Sequence, residues 1–169
     1  MKLEFKINKY YLVGYAMASK HKPFPAWRKL EERIWRKYKN EPAYYFLNPK
    51  HISWALEKIQ TDFSGGNIKK IFLKQSLVLK KIYQKIFKSS EFKRLLKETE
   101  KYLVYIVSQW NKNEKEVLKI LQEVSGLSLP KQKITVFITH PKSCNCKTLN
   151  KNTIARGCEE RWKNHSTIF

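Results

Sequence analysis

The sequence predicts an α+β fold, predominantly helical, with four to five helices and a small C-terminal β element. Two observations carry this. From Pro25 to Val124, apolar residues recur at three- and four-residue spacing in successive stretches separated by capping residues. After Leu129-Pro130 the pattern changes to KITVFIT (133–139), β-branched and aromatic throughout, which reads as a strand.

Taken in order, LEFKI at the N-terminus alternates and reads as a short strand. YYLVGYAMA (10–18) is an apolar run that periodicity alone does not assign to strand or helix. Pro25 suits the first turn of a helix whose stripe is Trp27, Leu30, Ile34 and Tyr38. Asn48-Pro49 opens another, through Ile52, Leu56 and Ile59, which stops near Ser64-Gly65-Gly66. Asn67 caps a third helix, with Ile68, Ile71, Phe72, Leu79, Ile82 and Ile86 on one face and lysines on the other. Ser89 or Ser90 then caps a fourth, carrying Phe92, Leu95, Leu96, Leu103, Ile106 and Trp110. Asn113 is expected to cap a shorter fifth helix through Val117, Ile120, Leu121 and Val124, ended by Gly126. The strand 133–139 leads into a long irregular loop and the strand-like tetrapeptide STIF (166–169). On this reading the helices lack a partner sheet of any size.

At 169 residues, 42% apolar and 14% aromatic, the chain suits one globular domain spanning 1–169, with Gly65-Gly66 as a weak hinge. No apolar stretch approaches the roughly 20 residues of a transmembrane helix, and the N-terminus has no signal-peptide core. A cytoplasmic location is therefore expected. The formal net charge of +21 points to polyanionic partners, nucleic acid or an anionic membrane surface. Against that, 29 of the 35 cations are Lys, rich in a chain also rich in Ile and Asn. Base-reading sites favour the planar fork of Arg. Asp62 is the sole aspartate and the glutamates lie mainly on helix faces, which disfavours two-carboxylate hydrolases and magnesium nucleases.

His140, Cys144, Cys146, Cys158 and His165 form H-x3-C-x-C-x11-C-x6-H. Three thiolates and an imidazole are an accepted zinc set, but C-x-C directs neighbouring side chains to opposite sides of an extended segment. Structural zinc sites space that pair by two to four residues. An odd cysteine count and a reducing compartment disfavour a disulfide framework. No Asn or Asp is placed to orient either histidine as the base for a cysteine nucleophile. Three free thiols beside a loop is the favoured reading, and no catalytic, cofactor-binding or metal residue is assigned.

The succession of a helix (113–124), a Leu-Pro turn, the strand KITVFITHP, a loop and a second strand beginning STIF resembles the upstream half of a zincin-type zinc metallopeptidase. The resemblance covers about residues 90–169. It implies a helical scaffold and a substrate-side sheet leading into an active-site helix with H-E-x-x-H, whose histidines bind zinc and whose Glu activates water. No two histidines here are four apart, so the motif is absent and no ligand carries over, to His140 and His165 included. The apolar ending raises the expectation of an N-terminal fragment, or a degenerate member, without activity of its own. Zinc and a peptide or protein substrate are implied only if an H-E-x-x-H segment follows Phe169. The alternative is a small basic protein that contacts nucleic-acid phosphates through dispersed lysines.

Overall fold

A computed structural model of the chain describes residues 1–18, 29, 32–33, 36–37, 39–40, 56, 67–129, 131–141 and 146–157. The described elements are strands β1 (Lys2–Lys6), β2 (Lys133–Ile138), β3 (Cys146–Asn150) and β4 (Thr153–Arg156), and helices α1 (Lys9–Ala18), α2 (Asn67–Ile86) and α3 (Ser90–Ser125). They fall into two compact units. One joins Met1–Ile7 to Glu98–Phe169; the other is Asn8–Lys97.

The first unit is built on a four-stranded sheet in the order β1-β2-β4-β3. β1 and β4 both pair with β2 in parallel, and β3 pairs antiparallel with β4. Phe5 stands opposite Val136, and Val136 opposite Ile154, so these three share one face. On that face Tyr102, Val136 and Ile138 are buried, packed round by Leu3, Phe5, Leu103, Tyr105, Ile106 and Ile154. The opposite face is covered as well, since Phe137 and Ala155 are buried. A parallel strand closed on both faces needs apolar residues at every position. That is why KITVFIT lacks alternation.

The second unit begins with a cap. The Asn8 side-chain carbonyl accepts the Tyr11 amide at 2.9 Å, which settles the run YYLVGYAMA as helix. Tyr10 stacks near Tyr83 of α2 at 6.5 Å between centroids and meets Phe87 edge-on at 5.0 Å. Leu12, Leu56, Leu79, Ile82, Phe92 and Leu95 are buried with them. Ser89 caps α3, its hydroxyl accepting the Phe92 amide at 3.2 Å.

Three expectations are corrected. Among the described residues there are three helices rather than four to five. Part of the difference is that the segments around 90–110 and 113–124 are one 36-residue helix. Asn113, expected as a cap, donates its amide to the carbonyl of Gln109 four residues back, a bond that lets a polar residue sit mid-helix. The stretch expected as irregular loop contains the β3–β4 hairpin, turned through Asn150-Lys151-Asn152-Thr153. Within the first unit α3 does have a partner sheet, which β1 from the far N-terminus completes. The helices expected from Pro25 and Pro49 fall largely outside the described residues; Lys29, Glu32, Arg33, Arg36 and Lys37 are helical. The Gly65-Gly66 hinge and STIF lie outside them altogether.

Candidate functional site

In an open sheet of parallel strands, ligands gather at the carboxyl ends. Here that end collects the chemistry-bearing residues of the first unit. β2 delivers Thr139 and His140, β1 ends at Lys6, β4 ends at Arg156, and Cys146 at the start of antiparallel β3 stands opposite Arg156. The Thr139 amide donates to the Arg156 carbonyl at 2.8 Å, extending the ladder past β2. Two strand spacings separate the Cys146 backbone from β2, about 10 Å.

His140 is 2% exposed, and its Nε2 lies 2.9 Å from a carboxylate oxygen of Glu98 on α3. The imidazole is the donor of this bond in the tautomer that carries its proton on Nε2. The pair has the form of a base and its orienting acid, but its solvent-facing member is Glu98, 37% exposed, and the imidazole itself is closed off. Beside it Thr139 is fully buried, its hydroxyl without a hydrogen-bond partner among the described residues. The arrangement joins the end of β2 to α3; it does not present a nucleophile.

Of the Cys/His series, Cys144, Cys158 and His165 lie outside the described residues, and Cys146 opens β3. Among the described residues no group of three or more His, Cys, Asp or Glu stands close enough to hold a metal ion.

Charge gathers elsewhere. At the start of the sheet Glu4 bridges Lys133 at 2.8 Å and Lys6 at 3.4 Å. The Lys133 hydrogen bond above all, against desolvation and with a smaller contribution from Lys6, holds the Glu4 carboxyl below its usual range. In the second unit Lys29, Glu32, Arg33, Arg36, Lys37 and Glu91 line a shallow cavity. Arg33 bridges Glu91 at 2.8 Å, and Arg36 reaches Glu32 at 4.0 Å. Glu91, in the first turn of α3, is also held below its usual range, chiefly by its own backbone amide and then by Ser90 and Arg33. Among the described residues, four cations against two carboxylates give this cavity's lining a positive excess. From the sequence the chain's positive charge reads as dispersed, and nothing there places Glu91 beside these cations.

Among the described residues no helix is long and apolar enough to cross a membrane. No protein-family model matches the chain, and neither a curated protein nor a solved structure is significantly similar to it.

Proposed function

We propose that this chain is the scaffold region of a zinc metallopeptidase-like protein and has no catalytic competence alone. One observation supports the reading: the long helix α3 is followed in the chain by strand β2 of a small, mostly parallel sheet, the helix-then-strand part of the order that the zincin resemblance implies. In that reading α3 backs the sheet, β2 and β4 carry the frame for an active-site helix, and His140 serves to fasten α3 to β2. Zinc, water activation and peptide cleavage then depend on an H-E-x-x-H segment. The test is to read the coding sequence past codon 169 and assay the full polypeptide for zinc by mass spectrometry. An in-frame H-E-x-x-H and one equivalent of zinc are expected. A stop codon there, or a continuation without the motif, ends the proposal.

The second reading is phosphate binding on nucleic acid, favoured by the positive cavity of Lys29, Arg33, Arg36 and Lys37. Counterion release makes such affinity fall steeply with salt. Filter binding of duplex DNA at two ionic strengths, with Arg33→Glu beside the unaltered chain, separates the cases. Absence of binding at low salt removes this reading.

A further inference from the structure

The apolar face of α3 that packs on the sheet continues toward the C-terminal end of the helix. Phe5 lies 6.0 Å from Trp110 between ring centroids, and Phe5 pairs with Val136. From Trp110 to the helix end at Ser125 is about 22 Å of helix at about 1.5 Å per residue. From Val136 back to the start of β2 at Lys133 is only about 10 Å of strand. The length of α3 past Trp110 exceeds that of the strand before Val136 by about two turns, and the apolar stripe continues along it. Tyr102 is fully buried, whereas Ile120 is 48%, Leu121 44% and Val124 83% exposed, with Leu127 just past the helix at 71%. Such large apolar residues in one row at a helix end mark an interaction surface.

The charges around the row say what fits it. With successive residues about 100° apart, Val117, Ile120, Leu121 and Val124 form a stripe whose flanks carry Glu114 on one side and Glu116 and Glu123 on the other. The glutamates stand about 70–110° from the stripe's centre; Lys112, Lys115 and Lys119 stand about 130–170° away, on the back. An ion pair ties a flank to the back, Lys119 to Glu123 at 3.7 Å; it is well exposed at both ends and correspondingly weak. In a chain of net charge +21, this is an acid-rimmed apolar strip.

We propose that the C-terminal end of α3 is the docking site for a basic amphipathic helix of a partner protein. The partner's apolar face covers Ile120, Leu121 and Val124, and its flanking Lys or Arg meet Glu114, Glu116 and Glu123. A second copy of this chain is the poorer occupant, since face-to-face pairing of the same strip sets glutamate rims against each other.

The probe is a fluorescent peptide of about 18 residues with leucines at helical spacing and lysines elsewhere, beside an analogue with glutamates for the lysines. Anisotropy titration with the intact chain is expected to give saturable binding of the lysine peptide, about tenfold or more tighter than the glutamate peptide. Val124→Asp should weaken it about tenfold or more. The double variant Glu116→Lys with Glu123→Lys should shift preference toward the glutamate peptide. All three positions are exposed, so thermal melts of the variants should match the unaltered chain and separate lost binding from lost fold. The proposal is overturned if the lysine peptide does not bind saturably, if Val124→Asp leaves its affinity unchanged, or if sedimentation shows a dimer that Val124→Asp abolishes.

Discussion

At the scale of single residues, the end of β2 places two opposite situations side by side. His140 is buried and hydrogen-bonded to Glu98, while neighbouring Thr139 buries a hydroxyl that has no hydrogen-bond partner among the described residues. Removing the imidazole opens a cavity and takes away its hydrogen bond to Glu98. We expect His140→Ala to cost about 2–3 kcal/mol. Replacing an unsatisfied buried hydroxyl by a methyl of the same shape removes a desolvation penalty. Thr139→Val is therefore expected to stabilise the chain by about 1 kcal/mol. Urea midpoints at unchanged m measure both. A Thr139→Val that destabilises would mean the hydroxyl has a partner after all. Neither outcome was legible in the sequence, where His140 drew notice only as the first member of a Cys/His series. Its partner lies 42 residues earlier, on another element, and no local pattern announces such a pairing.

At the scale of elements, the end of α3 shows a signal that local chemistry does fix. Gly126 takes φ = +64°, the left-handed conformation that ends helices, and a Cβ built there meets nothing within 4 Å. Gly126→Ala is thus a backbone cost without a clash, expected at about 1 kcal/mol. Amide exchange quickening over the last turn of α3, with the sheet's exchange unchanged, is the accompanying sign. The glycine stop, the Ser89 cap and the β2 strand all follow from short-range steric and hydrogen-bonding preferences, and the sequence announces each of them. The fusion of two helical segments across Asn113 and the β3–β4 hairpin were not legible. An asparagine has two local uses, cap or back-bond, and the helical spacing running through Trp110, Val117 and Val124 favours the second. The hairpin is hidden because CKTLN is mostly polar, and its pairing is set by β4, itself held by β2. β1 and β2 pair across about 130 residues, so a sheet was invisible to any window along the chain.

At the scale of the whole molecule, the balance of 35 Lys and Arg against 14 Asp and Glu sets how stability follows pH. Glu4 and Glu91 are both held below the usual carboxylate range in the folded chain. As pH falls, the unfolded chain takes up those protons first, so each group's contribution is full above its unfolded pKa and is lost as pH drops through the folded value. The same protonation leaves the cations increasingly unopposed, and their mutual repulsion grows. Both effects act in one direction. We expect the melting temperature to fall between about pH 6 and about pH 3.5, and to fall less in Glu91→Gln, which has already lost one of the two linked protons. Salt distinguishes the two causes. Screening relieves repulsion among many exposed charges, whereas it weakens exposed pairs such as Glu4 with Lys133, so sodium chloride should raise the melting temperature at acid pH if net charge dominates. A melting temperature that salt lowers there would assign acid sensitivity to the two glutamates alone, and the positive excess would carry no weight in the stability of the fold.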